Sequence, residues 1–107
     1  MTRYGSTIRV RPEKIEEYKR LHVAVWPEVL SMISACNIRN YSIYLIGNTL
    51  FAYFEYTGTD FAADMKKMAD DPVTQRWWAI TKPCQQPDPE ARPGDWWATM
   101  DEVFHTD

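Results

Sequence analysis

Residues 38–57 form two apolar runs with no polar side. Ile38 to Ile46 is rich in β-branched and aromatic residues, the composition of a strand. Gly47-Asn48 follows, and a glycine first in a two-residue connection suits a tight hairpin. Residues 49–57 return as a second strand. Leu50, Ala52, Phe54 and Tyr56 lie on one of its faces, and Phe51 and Tyr53 on the other. An antiparallel sheet can leave one polar face in water, but this hairpin is apolar on both. Both faces therefore need a cover. Helices of the same chain can supply one, and a second copy of the chain is the simplest source of the other.

The rest of the element order can be read around that hairpin. In residues 4–11, Ile8 and Val10 alternate with Arg9 and Arg11, the period of a half-buried strand. Pro12 then opens a helix, where its missing N–H costs nothing. Ile15, Tyr18, His22, Val25, Val29, Met32 or Ile33, and Cys36 recur every three or four residues and mark one long helical face. Pro27 interrupts it and predicts a kink or short break at Trp26. Asp60 is placed to cap a helix to about Met68, and Asp71-Pro72 to start another ending near Thr81. Residues 83–95 hold four prolines and a glycine and read as a loop, and residues 97–105 read as a last strand.

Strand, helix, strand, strand, helix, strand is the ferredoxin-like βαββαβ arrangement, an α+β fold with its helices on one face of an antiparallel sheet. Two copies joined by their open faces make a dimeric α/β barrel, so a homodimer is expected. With 107 residues the chain fits a single domain over 1–107.

Charge and motif content narrow the function classes. Twelve basic against fifteen acidic residues and a pI near 5.3 make a poor footprint for nucleic acid. An RNA-recognition fold shares the element order, but it needs a basic, aromatic sheet surface. No run approaches ~18 apolar residues, and Met1 to Ser6 has no apolar signal core, so no membrane association is expected. Cys36 and Cys84 are far apart and outside any Cys-x-x-Cys, which reads as reduced thiols in a cytoplasmic protein. A Gly-rich phosphate loop, a Ser/His/Asp arrangement and a metal-spaced His/Cys cluster are all missing.

The residues suited to chemistry lie mainly on the first helical face. His22 sits one turn after Tyr18 and one turn before Trp26, and residues four apart on a helix are neighbours. Tyr18 and His22 can aim a hydroxyl and an imidazole at one spot, and imidazole exchanges protons readily near neutral pH. The plainer alternative is a core histidine bonded to a backbone carbonyl. Trp77-Trp78 lies in the last helical segment, where neighbours point about a hundred degrees apart. One indole can enter the core while the other flanks a pocket, or both can simply pack. Tyr41 can turn its hydroxyl to the same pocket or be an ordinary strand tyrosine. Trp96-Trp97, after the proline-rich loop, caps a pocket or seals the end of the barrel. Asp101 and Glu102 point to opposite faces of the expected last strand, so one is a candidate second acid/base and otherwise a solvated carboxylate. His105 is expected in solvent.

Taken together, the motifs are specific. They are Glu16-Glu17-Tyr18-Lys19-Arg20-Leu21-His22, Trp26-Pro27-Glu28, Asn40-Tyr41-Ser42-Ile43-Tyr44-Leu45, Leu50-Phe51-Ala52, Gln75-Arg76-Trp77-Trp78 and Glu102-Val103-Phe104. In this order and spacing the chain resembles the L-rhamnose mutarotase family over nearly its whole length. The resemblance implies a dimeric α/β barrel that interconverts the α and β pyranose forms of a 6-deoxy-L-hexose, without metal or organic cofactor. It implies that His22 is the general acid and that Tyr18, Tyr41, Trp77 and Trp78 bind the sugar. L-rhamnose is the first expectation for that sugar, and L-fucose is the near alternative. The same barrel also hosts cofactor-poor monooxygenases, haem-degrading enzymes and non-catalytic ligand-binding proteins. Fold alone does not choose among these.

Overall fold

The structure, a computed structural model, describes residues 1–107. Strand β1 (Thr2–Val10) leads through a 3₁₀ turn at Pro12–Lys14 into helix α1 (Ile15–Val23) and helix α2 (Pro27–Ala35). The break expected at Pro27 is a full interruption. Trp26 is extended, at φ −60° and ψ 135°, as a residue before proline must be, and Pro27 starts the new helix. The hairpin follows as β2 (Ile38–Ile46) and β3 (Thr49–Tyr56), with Gly47 at φ 59° in its turn. Helices α3 (Phe61–Asp70) and α4 (Pro72–Thr81) come next. Both start as expected. Asp60 accepts from the Ala63 N–H, and Asp71 accepts from the Thr74 N–H and Oγ1–H.

The sheet is antiparallel. β3 lies between β2 and β1, and the other edge of β1 takes two short strands in tandem, β4 (Gln85–Gln86) and β5 (Ala98–Met100). This is the expected α+β arrangement with one correction. The last strand spans Ala98–Met100, not 97–105. It pairs with Gly5–Thr7 and then leaves the sheet. Past Met100, Glu102 reaches β1 through its side chain, which accepts from the Arg3 guanidinium at 2.8 Å. Val103 and Phe104 pack on nothing in the protomer and are 95% and 80% exposed.

All four helices cover one face. Ile8, Val10, Leu50, Tyr18 and Cys84 form one buried cluster, and Cys36, Ile38 and Tyr56 a second. Ile8 pairs with Leu50 and Tyr4 with Phe54, so the even-numbered residues of β1 and β3 point toward the helices. β2 changes phase along its length. Ile38 points inward opposite Tyr56, while Ile43 and Leu45 point inward opposite Ala52 and Leu50. A bulge between Arg39 and Ser42 makes the switch, with Asn40 in the left-handed region at φ 50°. The extra residue turns Tyr41 inward, where its ring lies 5.6 Å from Phe54.

Candidate active site

Between the helices and the inner face of the hairpin lies a cleft of about 650 Å³. α1 contributes Tyr18 and His22, and β2 contributes Tyr41, Ile43 and Leu45. α4 contributes Trp77 and Trp78, and the segment after it Lys82, Gln85, Trp96 and Trp97. The sequence-predicted set Tyr18, His22, Tyr41, Trp77 and Trp78 is thus brought to one place.

His22 makes the backbone bond of the plainer reading and still faces the cleft. Its Nδ1 lies 2.8 Å from the Tyr18 carbonyl oxygen. A carbonyl can only accept, so Nδ1 carries a hydrogen and donates. The other ring nitrogen, Nε2, has no protein partner, and the ring lines the cleft. The bond on one nitrogen therefore sets the neutral tautomer and leaves the other nitrogen open to the cleft. The imidazole lies against Tyr18, with ring centres 4.2 Å apart, and meets Trp77 edge-on at 5.4 Å. Trp26 holds Trp77 from the other side at 5.2 Å.

The phenols are held neutral. Tyr18 is buried, which pushes its pKa up, although a hydrogen bond donated by Gln85 works the other way. The Tyr41 ring keeps 43% exposure, yet dense protein around its hydroxyl and the nearby Tyr18 oxygen raise its pKa to about 12. Both hydroxyls therefore stay protonated at neutral pH.

The tryptophans divide the wall between them. Trp77 is buried at its base, and Trp78 is half-buried higher up. Trp96 and Trp97 line the cleft from the far side, and Lys82 bridges the pairs, its Nζ 5.1 Å from the Trp78 ring centre and 5.9 Å from that of Trp96.

Asp101 and Glu102 do not reach the cleft. The strand that was to carry them ends at Met100, and Glu102 is committed to Arg3. His105 is exposed and lies 2.9 Å from Asp107. Gln85 and Lys82 are lining residues that sequence reasoning passed over. They stand in a proline-rich stretch without periodicity, where no pattern signals which side chains turn inward.

The family model for L-rhamnose mutarotase matches residues 3–106. The chain belongs to the L-rhamnose mutarotase family. It is 36% identical over 109 residues to the L-rhamnose mutarotase of Bacillus subtilis and 33% identical over 109 residues to that of Oceanobacillus iheyensis, covering all of both chains in each case. Its fold resembles the crystal structure of L-rhamnose mutarotase from Formosa agariphila, at TM-score 0.79 and 22% identity over the full length of both chains. It also resembles tetracenomycin F2 cyclase from Streptomyces glaucescens, at TM-score 0.67 and 14% identity, covering 99% of this chain and 96% of that one. The membership expected from the motif set is borne out, and so is the fold. The mutarotase and the cyclase share this architecture, so fold alone does not set the chemistry, and the residues of the cleft must.

Proposed function

We propose that the chain is an aldose mutarotase, an isomerase that interconverts the α and β pyranose anomers of L-rhamnose. The observation that carries this reading is His22, anchored through Nδ1 and open through Nε2 in an aromatic cleft beside two neutral phenols. Ring opening of a hemiacetal needs a proton on the ring oxygen and the loss of one from the anomeric hydroxyl. As the imidazolium, with Nδ1 still donating to the Tyr18 carbonyl, His22 delivers its Nε2 proton to the ring oxygen as the bond from that oxygen to C1 breaks, and is left neutral. The anomeric hydroxyl gives its proton to water. The free aldehyde turns about C1–C2 and closes from the other face, and the reverse transfers restore His22. Only proton transfers occur, and a positioned acid–base group typically contributes about 10²–10⁴-fold. Tyr18, Tyr41, Trp77 and Trp78 bind the sugar in this reading. The indoles offer apolar faces to the C–H surfaces and the 6-methyl group, and the phenols bond hydroxyls.

The preference for a 6-deoxy sugar follows from the same wall. A hydroxyl placed where the methyl belongs has no partner among indoles and aliphatic side chains, and that costs about 1–3 kcal/mol. Saturation-transfer NMR between anomer signals tests this on L-rhamnose, L-fucose, L-mannose, L-galactose and D-glucose. The fastest exchange is expected with L-rhamnose. A clear lead for L-fucose would keep the mechanism and replace the substrate, whereas equal rates with all five would end the 6-deoxy reading.

The working unit is proposed to be a homodimer of single domains joined through the outer faces of their sheets. Tyr44 and Ile46 of β2 are 69% and 72% exposed there, beside Phe51 of β3 and Met100 of β5. Such a patch is unusual on the surface of a monomer. No helix is long and apolar enough to cross a membrane. The buried free thiols of Cys36 and Cys84 suit a reducing, cytoplasmic setting.

A further inference from the structure

Gln85 is a buried polar side chain, 6% exposed, which the mutarotase reading leaves without a role. Its two ends are both engaged. Oε1 accepts from the Trp96 indole N–H at 2.6 Å, and Nε2 donates to the Tyr18 hydroxyl oxygen at 3.1 Å. An amide can be turned over, but this one cannot. An indole nitrogen is a donor and nothing else, so the flipped amide would set N–H against N–H. Trp96 thereby fixes which end of Gln85 faces Tyr18. The Tyr18 oxygen receives a hydrogen there, and its own O–H is left to point elsewhere.

We propose that Gln85 is a positioning residue for the reaction: with Trp96 it forms a directional hydrogen-bond chain that makes Tyr18 present its hydrogen, not its lone pairs, to the sugar. The chain runs from the Trp96 N–H to Gln85 Oε1, from the Gln85 N–H to the Tyr18 oxygen, and from the Tyr18 O–H into the cleft. The catalytic helix then offers two groups of set polarity. His22 exchanges its proton at Nε2, because Nδ1 is committed to the Tyr18 carbonyl. Tyr18 donates to a sugar oxygen, because its lone pair is committed to Gln85. Segments far apart in the chain share this task, since Trp96 follows the proline-rich loop and Tyr18 belongs to α1. The inference rests on the mutarotase reading for its kinetics, but the hydrogen-bond chain has a readout of its own.

Gln85→Glu is the informative variant. An ionised carboxylate accepts from both neighbours, which turns the Tyr18 O–H away from the cleft. A protonated carboxyl repeats the amide, with one oxygen accepting from Trp96 and its O–H donating to Tyr18. Glu17, Tyr18 and His22 of α1, Tyr41 of β2, Cys84 and Lys82 of the adjoining turn, and Arg11 after β1 are the titratable and charged groups around this position. The charges of Lys82 and Arg11 favour the ionised form, while burial and the Glu17 carboxylate beside Cys84 raise the pH at which it is reached.

At pH 7.5 the Gln85→Glu variant is expected to lose about tenfold or more in kcat/KM for L-rhamnose, the order of one misdirected hydrogen bond. The loss relative to wild type should shrink as the pH falls toward about 5, once uncatalysed exchange is subtracted at each pH. The NMR signal of the ¹⁵N-labelled Trp96 indole N–H should move with the same midpoint. Gln85→Met has no carboxyl to titrate, and it is expected to show a loss that does not recover at low pH. The inference is overturned if Gln85→Glu matches wild type across the pH range, or if Gln85→Met keeps the wild-type kcat/KM. A wild-type protein inert toward every sugar, with the indole signal of Gln85→Glu still titrating, would sink the mutarotase reading and leave the hydrogen-bond chain standing.

Discussion

Replacing His22 by asparagine leaves a side-chain N–H able to reach toward the Tyr18 carbonyl but removes the ring nitrogen that faces the cleft. The variant is therefore expected to keep its fold and to lose about a hundredfold or more in anomer exchange, the lower range of a positioned acid–base group. Exchange rate and melting temperature, measured on the same sample, check this. Near-wild-type exchange would remove His22 from the mechanism. The sequence set His22 beside Tyr18 because helical spacing alone puts Tyr18 one turn behind it. It could not show that the bond to a backbone carbonyl and the nitrogen open to the cleft belong to one histidine, since that depends on which nitrogen turns back along the helix. Tyr41 was legible only as a possibility. Its inward direction depends on the bulge at Asn40, and simple alternation along β2 does not contain a bulge.

Among the elements, the caps were the most legible features. Asp60 and Asp71 announce α3 and α4 because a short acidic side chain can bond the exposed N–H groups of a first turn. Asp71→Ala is expected to cost about 1 kcal/mol, a drop in Tm of about 4–8 °C for a domain near this size. Differential scanning calorimetry reads it directly. Asp64 of α3 gives a second test. Its carboxylate accepts from the Tyr56 hydroxyl at 2.5 Å and from Asn37 Nδ2 at 3.0 Å, and these bonds hold its pKa below the usual value. A group whose folded pKa is lowered stabilises the fold fully above its unfolded pKa, near 4. That contribution is lost as the pH falls through the folded value. Asp64→Asn is expected to lower stability at pH 7 and to flatten the acid side of the stability curve below about pH 4. A curve parallel to wild type down to pH 2 would contradict the assignment. The end of the last strand was the least legible boundary. Residues 101–105 carry strand-like residues, but pairing needs a neighbour, and past Gly5 the chain offers β1 a side chain and not a backbone.

The whole molecule is expected to sediment as a dimer at micromolar concentration. Tyr44→Glu places a charge on the outer sheet face, away from the protomer core, and should shift sedimentation toward the monomer without changing the far-ultraviolet spectrum. A wild-type monomer with no affinity for apolar dyes would end the barrel model. That a cover is needed was readable from the two-sided hairpin. Which face would take it was not, because the bulge decides which residues of β2 look outward. The bulge has a further consequence for how this chain tolerates changes in length. Adding or losing a residue between Gln86 and Trp96 lengthens or shortens a loop whose ends are tied at Gln85 and by Arg9 to Asp88. Losing one residue in the bulge is a different kind of event. Without Asn40, Arg39 runs straight on to Tyr41 opposite Phe54, and Tyr41, Ile43 and Leu45 still face the helices while Tyr44 and Ile46 still face outward. Without Ser42, the bulge closes with Asn40 opposite Phe54, and Tyr41 turns out of the cleft. Descendants of this sequence can drift in size through the proline-rich segment, but between Arg39 and Ile43 the position of a lost residue decides whether the cleft keeps its tyrosine.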